Sequence, residues 1–222
     1  MIAITINVYN EVVHIGVPPH FFDGKTMRIT KEKAEENRVS LVNAAGRLFR
    51  ERGIDGVGVA EISKEAGLTH GALYAHFPSK DALAAAAMAN GVERSWNRLH
   101  RQVHEDGTPD VTAFIDYYLS PETRDNIGGS CALAASASEV ARQDAAVGAH
   151  FAEGYLNTVR ALEHELAAKF SSEEGRRNAL VIAAAMIGGI TVARATAKSH
   201  PDLSEEVLAA VRKVIGELGG GI

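Results

Sequence analysis

A single cysteine, Cys131, leaves no second thiol in the chain, which excludes an internal disulfide framework and fits a reducing compartment. Aromatics are scarce, at 6% of residues against 46% hydrophobic overall, so a core must be built mainly from aliphatic and alanine side chains. Alanine-rich stretches after Lys80 favour helices packed closely through small side chains. Basic charge is not in excess: the formal net charge is -5, which excludes any argument for nucleic acid from overall charge. Its distribution is uneven, with 9 Lys+Arg against 8 Asp+Glu from Met27 to Asn90, and 13 against 18 from Gly91 onward. Long hydrophobic runs are missing too. The longest uncharged apolar stretch, Ala179 to Ala193, has 15 residues, short of the roughly 18 that read as membrane-spanning. No basic residue precedes Lys25, and Glu11 and His14 interrupt the N-terminal apolar stretch, a poor signal peptide. Together these absences predict a soluble, cytoplasmic, all-α protein with no membrane partner.

Residues 1–26 hold β-branched residues, Pro18-Pro19 and Gly24 without helical period, and no neighbouring strand signal. They read as a disordered extension. Met27, followed at once by a charged helical segment, is an alternative native start. From Thr30 to Arg52, Leu41, Val42, Ala45, Leu48 and Phe49 share one helical face, and Gly53 stops it. Val59 to Ala66 is a short second helix ended by Gly67, and Thr69 caps a third that runs to about His76. Ser79 caps a fourth, with Asp81 in its first turn, reaching His104. Helices are expected over Asp110–Leu119, Cys131–Arg142, Ala145–Phe170, Ser172–Ser199 and Ser204–Leu218, about nine in all. Ser120–Ser130, with Pro121 and Gly128-Gly129, reads as a linker, and Pro201 as the break before the last helix.

A helix-turn-helix needs a bracing helix, a tight turn and a short second helix whose N-terminal side chains reach base edges in the major groove. The stretch VAEISKEAGLTHGALYAHF supplies these parts. Ile62, Ala66, Leu68 and Leu73 form an apolar joint, and Gly67 the turn. Thr69, His70, Gly71 and Ala72 open the second helix. Short helices joined by a glycine also occur in proteins that never meet DNA, so the turn alone does not decide.

The longer strings LVNAAGRLFRERGIDG and EISKEAGLTHGALYAHFPSKDAL decide more. With Gly67, Gly71, Leu73, Tyr74, Phe77, Lys80 and Leu83 in place, they resemble the tetracycline-repressor-like (TetR/AcrR) regulators across about 50 residues. The resemblance implies a three-helix DNA-binding domain over 27–78 and a helical ligand-binding and dimerisation domain over 79–222. It implies phosphate contacts from Thr69, Tyr74, His76 and Lys80, and base contacts from His70, Gly71 and Ala72. It further implies a homodimer on a palindromic double-stranded operator, released by a small-molecule effector; a reactive electrophile as the signal rests on Cys131 instead. Tyr74 has a plainer alternative as a core tyrosine, and His76 as a helix-end residue. Val57, Gly58 and Ala60 depart from the family's usual Thr, Ser or basic residues, which removes phosphate contacts from the second helix. Arg28, Lys31 and Lys33 are candidate replacements.

Beyond the motif the likeness is architectural. CALAASASEVARQD resembles one common branch of the family. The faces Ile182, Met186, Ile187, Ile190 and Leu208, Val211, Ile215, Leu218 are candidate pairing surfaces, with Gly188-Gly189 permitting close approach, or else plain intrachain core. Trp96, Phe114, Tyr117, Tyr118, Phe151 and Tyr155 cluster in the region expected to form a pocket, and each is alternatively core. Cys131, at an expected helix N-terminus, is a candidate electrophile sensor or a buried small residue. His100 and His104 make half a metal site at most, so no metal and no cofactor is expected. An enzyme built on Ser130 or Cys131 with His150 lacks an orienting carboxylate, and no catalytic residue is assigned.

Overall fold

The computed structural model describes residues 3–8, 11–16, 30–101 and 110–220. The chain divides into two units, Met1–Glu35 and Glu36–Ile222. In the first, strands β1 (Ala3–Val8) and β2 (Glu11–Gly16) pair antiparallel, with Ala3 opposite Gly16 and Val8 opposite Glu11. The sequence reading leaves this segment without a strand partner and therefore disordered. The two β-branched runs, Ile4-Thr5-Ile6 and Val12-Val13, lie in strands that partner each other.

Among the described residues of the remainder, ten α-helices follow: α1 (Lys31–Arg52), α2 (Val59–Glu65), α3 (His70–His76), α4 (Lys80–Leu99), α5 (Val111–Tyr118), α6 (Pro121–Asp125), α7 (Ala132–Ser136), α8 (Ala145–Leu166), α9 (Ser172–Thr196) and α10 (Pro201–Leu218). Beyond the hairpin the described residues are all-α, as the alanine-rich composition predicts. Four details differ from the sequence reading. The linker Ser120–Ser130 contains α6, because Ser120 Oγ accepts from the Thr123 amide at 3.1 Å and Pro121 takes the first helical position, where its missing N–H costs nothing. The expected helix Cys131–Arg142 breaks after Ser136 and resumes as a 3-10 turn at Val140–Arg142, a path that lets Glu139 accept the Ile54 amide at 2.8 Å. Pro201 begins α10 rather than preceding it. The fourth helix ends at Leu99 with His100 as its cap, and His104 lies outside the described residues.

Helices α8, α9 and α10 pack in succession, and α4 lies against α8. Close approach there depends on a missing side chain: a Cβ on Gly154 would stand 2.5 Å from Val92 Cγ2. By length and composition α9 could cross a bilayer, but Ile182, Met186 and Ile190 along it are buried against its neighbours, the pattern of a core helix. The faces singled out for pairing are thus mostly spent inside the chain. Leu208 and Ile215 are buried as well, and a Cβ on Gly189 would stand 3.1 Å from Val211 Cγ1. What α9 and α10 leave exposed is a different pair of stripes: Val181, Ala184, Gly188 and Val192 on one, Leu203, Ala210 and Val214 on the other.

Candidate nucleic-acid interface

The turn between α2 and α3 closes by main-chain geometry. Leu68 N donates to Ser63 O at 2.8 Å and Gly67 N to Lys64 O at 3.1 Å, with Gly67 at φ +70, the paired bonds of a Schellman end. No atom lies within 4 Å of a Cβ placed there, so the glycine is needed for its backbone alone. Gly67→Ala is expected to lower stability by about 1 kcal/mol, the left-handed penalty of an L residue, measurable as a fall in urea midpoint at unchanged slope. Thr69 Oγ1 then accepts from Ala72 N at 3.3 Å and starts α3.

Helix α3 is anchored through one face. Leu73 is fully buried, and Phe77 just beyond the helix is buried under the Arg38 guanidinium, 4.9 Å from the ring centre. The opposite face is uncovered: Thr69, His70, Gly71 and Tyr74 are exposed, Tyr74 by 50%, and the His70 and Tyr74 rings meet edge to face at 5.2 Å. Ala72 and His76 are half-buried at the margins. Lys80 opens α4, where Ser79 Oγ accepts from Ala82 N at 3.1 Å, so its position is fixed relative to the end of α3. All seven residues expected at DNA therefore lie on α3, its cap or the next helix start. Ion pairs Arg47–Glu65 and Arg52–Glu61 tie α2 to α1. Gly58, the α2 cap, offers no side-chain hydrogen bond. Arg28 lies outside the described residues, and Lys31 and Lys33 form the first turn of α1.

The second expected site is a cavity of about 40 Å³ bounded by α4, α5, α8 and α9. Trp96, Phe114, Tyr118 and Cys131 meet there; Tyr117, Phe151 and Tyr155 do not. Tyr117 stacks with Arg98 at 5.3 Å, Phe151 packs on the core, and Tyr155 donates its hydroxyl to Leu180 O at 2.8 Å. Sequence reasoning passed over the polar rim of Ser95, Asn157 and Thr158, which carries no motif. Among the described residues no group forms a well-shaped hydrogen bond with the buried Tyr118 hydroxyl, and burial, then the nearby Cys131, pushes its pKa well above the usual tyrosine range. Cys131 is 7% exposed and caps a helix of only five residues, so the helix dipole offers its sulfur little.

The neighbouring Ser130 Oγ donates to Ile127 O at 3.0 Å and accepts from Arg194 at 2.6 Å, while His150 faces Glu153 at 3.5 Å. His100 lies against the Trp96 ring, 4.3 Å between centres. Among the described residues no group of three or more His, Cys, Asp or Glu could hold a metal.

Three arginines bind the loop before Cys131 to the rest. Arg50 of α1 donates to Gly128 O at 2.8 Å, Arg98 of α4 to Gly129 O at 3.2 Å, and Arg194 of α9 to Thr123 O at 2.9 Å and Arg124 O at 3.1 Å. One segment thus touches the helix that braces the reading head, the helix that follows it and a helix of the exposed apolar face.

Known proteins are similar to this chain in the sequence of the helix-turn-helix segment and in the fold. Residues 41–87 match the family described as bacterial regulatory proteins, tetR family. Over 62 residues the chain is 42% identical to the HTH-type transcriptional regulator TtgR of Pseudomonas putida, covering 28% of this chain and 30% of that one. Over 54 residues it is 44% identical to the HTH-type transcriptional repressor BepR of Brucella suis, covering 24% and 26%. The matched stretch thus spans less than a third of these relatives' length. A TetR transcriptional regulator from Chloroflexus aurantiacus shares the fold with a TM-score of 0.68 at 22% identity, over 84% of this chain and 97% of the other. Escherichia coli NemR in its reduced form does so with a TM-score of 0.64 at 22% identity, over 80% and 96%. Over its helix-turn-helix segment, residues 41–87, the chain is similar to the tetR family of bacterial regulatory proteins.

Proposed function

We propose that the chain is a sequence-specific, DNA-binding transcriptional repressor of the cytoplasm, acting as a homodimer and released from a palindromic operator by a small molecule. The observation that carries this reading is α3: a short helix pinned by Leu73 on one side, with Thr69, His70, Gly71 and Tyr74 bare on the other. Residues 27–78 then form the reading unit and 79–222 the sensing and pairing unit. Two such helices must stand about 34 Å apart to enter successive grooves, so the dimer is part of the activity.

The cavity supports the release step. Its 40 Å³ is room for roughly three waters, so an effector of useful size must part the walls. One wall is α4, which begins at Lys80 immediately after the reading head and supplies Val92, Trp96 and Leu99. Displacing α4 changes the spacing of the two heads, provided the ligand binds the DNA-incompetent arrangement more tightly. An electrophile entering the same cavity meets Cys131.

Fluorescence anisotropy with duplex from the protein's own upstream region, over a salt series, tests DNA binding; affinity should fall steeply as salt rises, and a flat response would rule the reading out. In the same assay Tyr74→Ala and Lys80→Ala should each weaken every duplex about tenfold, whereas substitutions at His70 or Ala72 should change which duplex is preferred. Equal loss of discrimination from all four would contradict this division of roles.

A further inference from the structure

Arg50 is 9% exposed, yet the protein uses only one of its nitrogens. Nε donates to Gly128 O at 2.8 Å, and neither Nη nitrogen has an acceptor among the described residues. The guanidinium is held between two glycines: a Cβ on Gly46 would stand 3.1 Å from Nη1, and one on Gly91 3.8 Å. Among the described residues no carboxylate pairs with it. Glu51 is engaged with Arg47, and the nearby side chains of Arg94 and Arg98 are of like charge. Burial, and then Arg94, draw the Arg50 pKa down to about 10, which still leaves it cationic at neutral pH. A buried cation with free donors and no counter-ion is unfavourable unless something supplies the charge.

Arg50 borders a polar cavity of about 560 Å³ between α1, the end of α2, α4 and the 126–129 loop. Ser40, Asn43, Arg47, Arg94 and Asn126 line it as well, and its one acidic lining residue, Glu65, is paired with Arg47. We propose that this cavity is an oxyanion site, taking the phosphate or carboxylate group of a small metabolite between the Arg50 and Arg94 guanidinium groups. Planar forks of donors match such groups in pairs, which lysine could not do as well. A duplex phosphate is the rival occupant. It is disfavoured because no residue of α3 lines the cavity and Arg50 is recessed. The site shares no lining residue with the apolar effector cavity, so it stands or falls separately from effector release. An anion seated here would touch both the helix that braces the reading head and the helix that follows it.

Calorimetric titration of the full chain with inorganic phosphate, and separately with citrate, against chloride of matched ionic strength provides the test. Saturable binding of either anion is expected, and the stronger one tells which group the site prefers. Arg94→Gln, at an exposed position, should leave the melting curve in chloride unchanged and weaken binding about tenfold. Arg50→Gln should abolish it, and if that variant does not fold, Arg94→Gln carries the test. Lys213→Gln, exposed on α10, should bind as the parent does. Absence of saturable binding to either anion, an unchanged affinity in Arg94→Gln, or loss of phosphate binding when the protein is saturated with an unrelated duplex would overturn the proposal.

Discussion

Leu73→Ala is expected to lower the unfolding free energy by about 3 kcal/mol and to abolish operator binding at concentrations where the parent saturates. Leu73 is fully buried and is the only buried residue within α3, a helix of seven residues. A helix that short has no stability of its own in water, so its place depends on what it buries. Truncation removes the transfer energy of the side chain and leaves a void that Ile62 and Phe77, both buried nearby in sequence, can fill only by moving the turn. Chemical denaturation at fixed protein concentration gives the stability change, and fixed concentration matters because in the proposed dimer dissociation would be coupled to unfolding. A loss under about 1 kcal/mol would mean that α3 is held by something other than this anchor.

Placing glutamate at both Val192 and Val214 is expected to yield monomers and to weaken operator binding by at least about a hundredfold, because the second half-site contact is no longer delivered at high effective concentration. The two valines, each 49% exposed, lie on adjacent helices and belong to the stripes that also carry Val181 and Leu203. Neither contributes to the intrachain core, so the monomer fold should survive with its melting temperature nearly unchanged. Sedimentation analysis reads the first effect and anisotropy the second. A double variant that remained dimeric would place the pairing surface elsewhere.

The parts of this molecule legible in sequence are those encoded by neighbours. Gly67, the Thr69 cap, Leu73 and the Ser79 cap lie within a dozen residues of one another, and each acts through bonds spanning three to five positions. The Ser120-Pro121 start of α6 was equally local and was hidden by the glycines that follow it. The cavity was half legible: scarcity of aromatics points to Trp96, Phe114 and Tyr118, but which way a helix turns is settled by tertiary packing, and Tyr117 and Tyr155 face elsewhere. Of the two readings of the α9 and α10 faces, pairing surface or intrachain core, tertiary packing selects the core, since the most apolar residues of the two helices were drawn to each other first. The arginine links were invisible, because their acceptors are main-chain carbonyls, 78 residues distant in the case of Arg50 and Gly128.

That last feature bears on how the protein can change over time. Carbonyl oxygens are present whatever residue carries them, so these four bonds do not themselves read the side chains at 123, 124, 128 and 129, although Glu51 and Asn126 leave no room for a Cβ at Gly128 and Gly129. The guanidinium groups at 50, 98 and 194 have no such freedom, and substitution of any one would remove the link that its helix makes to this segment.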